Sequence, residues 1–355
     1  MKLFLLATLL FTAGLFAYAQ PPQGYYDPAS GKYGTALQQA LHDIIDNHTV
    51  ISYDALWDAF KTTDKKPNGK VWDMYSDIPN AIPPYEFTFG SDQCGSYNGE
   101  GDCFNREHSW PKSWFSDQTP MYSDLFHLYP TDGYVNNKRS NYPYGKVGST
   151  SWTSDNGSKL GDCSAPGYSG TVFEPIDEYK GDFARSYFYM ATRYYKEDNG
   201  WAGSEMTNGS QLKPWAMIML LLWSQSDPVS QKETNRNNAV YALQQNRNPF
   251  IDHPEYAQNI WAANAGLLEV DNPVILESYP NPVSTNCRIR IPSLDSKHIP
   301  NILVYSTTAK QIKVPVSWEE DVARINVESL PPGIYFVNIY RGNDQTVCYS
   351  RIIKN

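Results

Sequence analysis

The residue types best suited to chemistry are concentrated in one stretch, residues 105–141. It reads NREHSWPKSWF, then a short variable piece, then DLFHLYPTDGYVNNKRSN. The candidates among its acids, histidines, asparagines and arginines are Glu107, His108, His127, Asn136, Asn137 and Arg139. Side chains of these types bind metal ions or move protons, and the stretch has no long apolar run typical of a core helix or buried strand. The alternative is a long surface loop with ordinary hydrogen-bonding residues.

These residue types could together cleave a phosphodiester bond. That reaction requires an activated water, neutralisation of the charge that grows on the phosphate, and stabilisation of the leaving oxygen. A histidine near its ordinary pKa is the natural base at neutral pH. Glu107 and an asparagine amide offer oxygen ligands with one negative charge between them. Such a set leaves a bound cation electrophilic, and it suits magnesium, calcium or manganese better than zinc.

The adjacency of Glu107 and His108 limits what spacing can establish. Neighbouring residues on a regular strand point to opposite faces. Both side chains can serve one metal–phosphate centre only at a strand end, at a bend, or from different sides of the substrate. Spacing alone therefore makes the pair suggestive and no more.

Composition bounds the class of protein. The 355 residues allow two or three domains, and the aromatic content is 14%. Aromatic rings can line a site for bases or sugars, and they are also common in rigid, loop-rich secreted proteins. The formal net charge of −9 argues against strong static binding to nucleic acid. It does not exclude an enzyme whose metal ion supplies local positive charge.

The N-terminus predicts export. Residues 1–19 combine a lysine, an apolar run and an Ala-Tyr-Ala site before Gln20, which is typical of a secretory signal peptide. The apolar run is short for a membrane span, so we expect no span in the mature protein. A protein that leaves the cytoplasm can keep disulfides.

The cysteines suggest two bridges. Cys94 and Cys103 are nine residues apart in a Gly-rich segment, which suits a small disulfide loop. Cys287 and Cys348 could close a second one, leaving Cys163 unpaired. Connectivity cannot be deduced from sequence, so other pairings stay open.

The fold class indicated is α+β with two parts. Apolar residues recur at helical spacing in segments beginning at Thr35, Gly181 and Pro214, and short β-type runs occur at 71–75 and 85–89. After Asp271, β-type runs alternate with turns. We therefore predict a mostly helical domain at 20–271 followed by a small all-β sandwich domain at 272–355.

The stretch at 105–141 resembles the signature of the secreted endonuclease I family, whose fold carries a ββα-metal finger. The likeness rests on REHSWPKSWF and DLFHLYPTDGYVNNKRSNYPYG, and it continues through FEPIDEYKGDFARSYFYMATRYY and QNRNPFIDHPEYAQNIW. It spans most of residues 30–265. The resemblance implies a secreted, divalent-metal-dependent nuclease that hydrolyses phosphodiester bonds of DNA and/or RNA with little sequence specificity and leaves 5′-phosphate ends.

The resemblance also assigns roles to residues. The family's EH pair falls on Glu107, a metal ligand, and His108, the general base. Its VNxxRSN segment places the second ligand at Asn136 and gives Arg139 a phosphate or transition-state role. The metal expected is Mg²⁺, or Ca²⁺ or Mn²⁺ in its place. Asn137 stands where relatives often have glycine, so either asparagine could be the ligand, and we favour Asn136.

Two further features follow from the resemblance. His127 matches a family histidine that we expect to be supporting or structural. Some relatives place a phosphate-binding arginine in the piece before it, and this chain has none between His108 and His127.

The last eighty residues resemble the sorting domain of the type IX secretion system. The resemblance rests on the YPNP sequence at 279–282, the GIYFVNIYRG run and the ending SRIIKN. Such a domain implies the secretion machinery as a partner and a secreted or cell-surface location. The alternative is a carbohydrate-binding or adhesive β-sandwich.

Two other functions stay open at this point. A secreted, non-catalytic polysaccharide-binding or adhesion protein would contact its ligand through the tyrosines and tryptophans. The acidic net charge is compatible with this alternative. Another metal hydrolase, such as a phosphatase, would cleave small phosphoesters. For the leading hypothesis we expect a monomer whose substrate is nucleic acid.

Overall fold

A computed structural model describes residues 21–261, 274–291, 301–306, 311–341 and 345–355. The predicted signal peptide and the predicted domain boundary at 271 lie outside these residues. Within the described ranges, no helix combines the length and apolar character needed to cross a bilayer.

The α-helices in the described ranges are α1 (Gly34–Ile45), α2 (Leu56–Thr63), α3 (Gly133–Arg139), α4 (Lys180–Arg193), α5 (Pro214–Ser226), α6 (Gln231–Gln244), α7 (Pro249–Asp252) and α8 (Glu255–Trp261). The strands among residues 21–261 are β1 (Phe104–His108), β2 (Leu128–Asp132), β3 (Val147–Thr153), β4 (Lys159–Cys163), β5 (Thr171–Glu174), β6 (Thr207–Asn208) and β7 (Gln211–Leu212). The three helices expected from periodicity are confirmed as α1, α4 and α5.

The helix α4 is the centre of the core. Every residue from Gly181 to Arg193 is buried, including the polar ones. The buried charges are paired across helices: the Arg185 guanidinium binds the Glu233 carboxylate of α6 through two nitrogens, at 2.5 and 2.8 Å. Paired burial of this kind avoids the cost of an isolated charge in the core. The apolar helix α5 begins with Pro214 and packs against α4.

The strands β1 and β2 and the helix α3 form a continuous unit. β1 pairs antiparallel with β2, with Glu107 opposite Tyr129 and His108 opposite Leu128. α3 follows β2 directly because Asp132 caps it, accepting a hydrogen bond from the Val135 N–H at 2.8 Å. The chain between β1 and β2 contributes only short 3₁₀ turns.

The two β-type runs at 71–75 and 85–89 were predicted as strands, and this is wrong. Val71 forms only an isolated bridge with Lys65, and its N–H donates to the Phe87 carbonyl. The connecting segment IPNAIPP contains three prolines. The first run ends in a turn at Met74 and Tyr75, and the second has no strand assigned, so neither run forms a strand.

The C-terminal part is all-β. Its strands are β8 (Val274–Ile275), β9 (Ser278–Tyr279), β10 (Asn286–Arg290), β11 (Asn301–Ser306), β12 (Gln311–Ile312), β13 (Val316–Glu319), β14 (Val322–Asn326), β15 (Gly333–Arg341) and β16 (Gln345–Lys354). They form a sheet in the order β13-β14-β10-β9 and another in the order β12-β11-β15-β16-β8. One apolar cluster, which includes Ile289, Ile325 and Val337, draws on both sheets.

The cysteines follow one of the two predicted bridges. Cys94 and Cys103 form a disulfide, as predicted, and Cys163 is free. Cys287 is a free, buried thiol, so the predicted bridge to Cys348 is wrong. Cys287 lies on β10 and Cys348 on β16, in different sheets.

Candidate active site

One face of β1 lies against α3. Asn105 and Glu107, two residues apart on the strand, present their side chains to this helix. The Asn136 amide nitrogen donates to the Asn105 side-chain oxygen at 2.7 Å, and Arg139 contacts Glu107 at 3.1 Å. Residues three apart on a helix share a face, which explains why both reach the same side of the strand.

Glu107 is buried, with 3% of its surface exposed. Its Oε1 accepts hydrogen bonds from the Tyr75 hydroxyl at 2.9 Å and from Arg139 at 3.1 Å. Burial raises the pKa of the Glu107 carboxyl to about 7, while the charge of Arg139 and the Tyr75 hydroxyl act to lower it. The other oxygen, Oε2, has no hydrogen-bond partner among the described residues.

Arg139 is buried and uses its donors inside the protein. Besides Glu107, its guanidinium donates to the carbonyl of His108 at 3.0 Å and to the carbonyl of Ser109 at 2.5 Å. The guanidinium also lies 4.7 Å from the centroid of the Tyr144 ring. These contacts tie α3 to the end of β1. The phosphate role expected for Arg139 stays a prediction.

His108, the last residue of β1, lies on the opposite face from Glu107. Its ring stacks on Tyr53 with centroids 5.8 Å apart, and its Nε2 lies 3.1 Å from the carbonyl oxygen of Tyr122. Because a carbonyl only accepts, Nε2 carries the proton in the neutral ring and Nδ1 keeps the lone pair. Burial lowers the pKa of His108 well below its ordinary value, and the neighbouring His127 acts in the same direction.

The structure brings some of the predicted residues together and separates others. Glu107 and Arg139 are in contact, and Asn136 lies on the same strand–helix interface through Asn105. His108 is on the other face of β1, beside Tyr53. Asn136 is half-buried and Asn137 is exposed. No hydrogen bond joins Glu107 to Asn136 in the described part of the chain.

Several residues that shape this site were not anticipated. Tyr75 holds Glu107 and is itself hydrogen-bonded to Tyr144, with 2.8 Å between the two hydroxyl oxygens. The Tyr187 hydroxyl donates to the Ser109 carbonyl at 2.7 Å. These tyrosines lie in separate segments of a chain that contains 26 of them. No local pattern distinguishes them from tyrosines of the general core.

Comparison with known proteins now adds to the geometry. The family model described as Endonuclease I matches residues 33–255, and the one described as Secretion system C-terminal sorting domain matches residues 277–355. The first match covers well over half of the chain and includes β1, β2 and α3. The chain belongs to the endonuclease I family.

Curated relatives of this endonuclease I chain include extracellular nucleases. The extracellular ribonuclease of Bacillus amyloliquefaciens is 42% identical over 246 residues, which cover 67% of this chain and 78% of that protein. The extracellular ribonuclease of Bacillus subtilis (strain 168) is 38% identical over the same coverage. The extracellular deoxyribonuclease of Aeromonas hydrophila is 24% identical over 234 residues, covering 61% of this chain and 86% of that protein.

Family membership makes the chain an endonuclease, as predicted from its motifs. The sorting domain at 277–355 confirms the prediction of a secreted or cell-surface location and of the secretion machinery as a partner. The non-catalytic polysaccharide-binding alternative is thereby set aside.

A separate group of possible metal ligands lies away from β1 and α3. His42, Asp46 and Glu197, at the ends of α1 and α4, have ligand atoms within 4.8 Å of one another. The Arg193 guanidinium already pairs with Asp46 at 3.1 Å and with Glu197 at 2.8 Å. The arginine pairs with both acids, so the group is accounted for as an ion-pair network of the described residues.

Proposed function

We propose that this endonuclease hydrolyses phosphodiester bonds with a divalent metal held by Glu107 and Asn136 and with His108 as general base. The observation that carries the proposal is the common β1–α3 interface of Glu107 and Asn136. We further propose that β1, β2 and α3 are a ββα-metal finger, the unit that the family resemblance implies. The products would carry 5′-phosphate ends, and we expect a monomer.

The atoms left unused on the two ligands fit a hard cation. Asn136 donates through its amide nitrogen to Asn105, which leaves its own carbonyl oxygen without a hydrogen bond in the described residues. Glu107 likewise uses Oε1 and leaves Oε2. Both unused atoms are oxygens, which Mg²⁺, Ca²⁺ and Mn²⁺ prefer. When bound, such a cation neutralises developing phosphate charge and stabilises the leaving oxygen.

His108 has the features of a base that accepts a proton from water. The hydrogen bond of Nε2–H to the Tyr122 carbonyl orients the ring and leaves Nδ1 as the acceptor. The lowered pKa of His108 keeps the ring neutral at pH 7. Since His108 ends β1, a phosphate at the strand end would meet the ligands and the base from different sides of the strand.

Arg139 would act by positioning. It holds the Glu107 carboxylate and the carbonyls of His108 and Ser109, so it sets the end of the strand from which ligand and base project. Its Nη1 and Nη2 donors are already used, and Nε, which has no hydrogen-bond partner in the described residues, is buried away from solvent. We therefore propose positioning as its main role.

Both RNA and DNA are proposed as substrates. The two most similar relatives described above are named ribonucleases, at 42% and 38% identity, and the deoxyribonuclease relative is 24% identical. Identity therefore favours RNA as the better substrate. In a chain of net charge −9, a bound cation would add local positive charge for the phosphate backbone.

The proposal is tested by cleavage of single-stranded RNA and plasmid DNA with added Mg²⁺, Ca²⁺ or Mn²⁺ and with excess EDTA. Glu107→Gln and Asn136→Ala should each lose cleavage and raise the metal concentration that gives half-maximal rate. Asn137→Ala is the matched control, because this exposed neighbour lies on the same helix. Full cleavage in EDTA, or equal losses in the two asparagine variants, would contradict the metal assignment.

A further inference from the structure

A row of three half-buried aromatic rings lies along α3 and consists of Tyr97, Tyr134, which is part of the helix, and Trp152. The rings of Tyr97 and Tyr134 meet edge to face with centroids 6.5 Å apart, and the centroids of Tyr134 and Trp152 are also 6.5 Å apart. We call this row the aromatic surface. Lys138, one turn after Tyr134, has its ammonium 5.1 Å from the Tyr134 ring and 6.0 Å from the Trp152 ring. The surface therefore combines π-faces with a cation.

Lys138 has no ion-pair or hydrogen-bond partner among the residues that the structure describes. Lys180 and Lys66, also at least half-buried, do have carboxylate partners: Lys180 binds Glu174 at 2.6 Å, and Lys66 binds Glu86 at 2.9 Å. Half-buried Lys213, on the other hand, resembles Lys138 in having no such partner in the described ranges. In a chain of net charge −9, a lysine left without a carboxylate is available to an anionic ligand.

The aromatic surface adjoins the proposed metal ligand through Gly133. A Cβ built at Gly133 would lie 2.6 Å from the Tyr97 ring and 3.3 Å from the Asn105 amide nitrogen. Both groups therefore pack closely against this glycine. Asn105 in turn accepts the hydrogen bond from Asn136 at 2.7 Å. Only Asn105 and Gly133 separate the Tyr97 ring from Asn136. Tyr134 and Lys138 lie two residues to either side of Asn136 on α3 and face away from its side chain. The bases within reach of the rings therefore belong to the nucleotides that neighbour the one held at Asn136.

Tyr97 is held in place before any ligand binds. It sits in the loop closed by the Cys94–Cys103 disulfide. Within this loop the Asp102 carboxylate accepts hydrogen bonds from two backbone N–H groups, at 2.7 and 3.0 Å. The Cys103 carbonyl accepts from the Gly133 N–H at 2.9 Å, which fastens the loop to α3. A preformed surface loses little conformational entropy on binding.

We propose that the aromatic surface is a subsite that stacks unpaired bases next to the phosphodiester bond being cut, with Lys138 contacting a backbone phosphate. This inference rests on the proposed nuclease function. Every base has a π-face, so stacking is tolerant of sequence. Bases inside a duplex have both faces covered by neighbours. The ligand of this surface is therefore a single-stranded segment.

The first test is kinetic. Tyr134→Ala and Trp152→Ala are assayed on a single-stranded oligonucleotide, on a duplex of the same sequence, and on bis(p-nitrophenyl) phosphate, which has no base. On the single strand we expect KM to rise about fivefold to a hundredfold, the range that loss of a stacked base gives, with kcat within about twofold. The duplex and the small ester should be cleaved as by the wild type.

Two controls separate stacking from damage to the fold. Tyr134→Phe keeps the π-face and should retain the wild-type KM. Tyr168→Ala removes a ring that stacks on Trp215, with centroids 4.8 Å apart, outside the aromatic surface. It should leave KM unchanged on all three substrates. Equal KM rises on duplex and single strand, or no rise in either alanine variant, would overturn the subsite.

A binding measurement makes the test independent of catalysis. The anisotropy of a labelled single strand is followed in EDTA with the wild type, Tyr134→Ala and Tyr134→Phe. The subsite predicts a weaker Kd for the alanine variant alone, by the same factor as KM. If the wild type cleaves nothing with any metal, the proposed metal-dependent mechanism fails. The anisotropy comparison still decides the subsite, and identical Kd values in all three proteins would refute it.

Discussion

Replacement of Arg139 by methionine tests whether this arginine positions the site. Methionine keeps the bulk of the stem and removes every donor. The Glu107 carboxylate then loses its paired cation, and the carbonyls of His108 and Ser109 lose their hydrogen-bond donor. Because Arg139 and Glu107 are both buried, at 1% and 3% exposure, water cannot replace the lost contacts.

The expected loss of unfolding free energy follows from these contacts. Breaking a buried ion pair by removing one partner costs about 3–5 kcal/mol of unfolding free energy. Arg139→Lys should cost less, about 1.5–3 kcal/mol, the value of one hydrogen bond to a charged group. A lysine ammonium could keep the contacts that Nη1 makes with Glu107 and the His108 carbonyl but not the Nη2 contact with Ser109. The Ser109 carbonyl still accepts from the Tyr187 hydroxyl, which limits the loss.

The assay is guanidinium unfolding followed by tryptophan fluorescence. Nine of the ten tryptophans lie between residues 57 and 261, so the signal reports the nuclease part. Arg185→Met is the matched control, since Arg185 is also buried and paired, with Glu233. Both methionine variants should be destabilised, but only Arg139→Met should lower kcat where the protein is fully folded. An Arg139→Met variant that stays within about 1 kcal/mol of wild-type stability while losing activity would refute positioning and favour a direct role in the reaction.

Three further predictions follow from the site and its surroundings. His108→Ala should fold and lose about two to four orders of magnitude in rate; near-normal cleavage would remove it from the base role. Burial lowers the pKa of His127, so its contribution to stability is present above pH 6.5 and is lost as pH falls below that value. Thermal or chemical unfolding of the wild type and of His127→Phe is compared as a function of pH. Below pH 6.5 the unfolding free energy of the variant should fall less steeply than that of the wild type, by up to about 1.4 kcal/mol per pH unit, and parallel curves would contradict this. Replacing Cys94 and Cys103 by serine should cost about 2–3 kcal/mol in unfolding free energy, and an unchanged denaturation midpoint would show that the loop is held without the bridge.

Part of the fold was predictable because the determining signals are local. The helix α5 was predicted from Pro214 and the apolar run after it, since a proline at the first turn and buried side chains leave no other good conformation. The same local reasoning failed for the runs at 71–75 and 85–89. Their β-type residues say nothing about whether a partner strand is available, and the intervening prolines do not supply one.

For the candidate site too, some features were predictable from the sequence and others depended on the tertiary structure. The sequence made Glu107, His108, Asn136 and Arg139 the candidates, through their residue types within one short stretch and the family resemblance of that stretch, and their catalytic roles stay predictions. Only the tertiary structure decided that Glu107 faces α3 while His108 faces Tyr53. It also recruited Tyr75, which holds Glu107 from 32 residues away. Contacts between such distant segments depend on how the helices and strands pack, and no spacing along the chain encodes that packing.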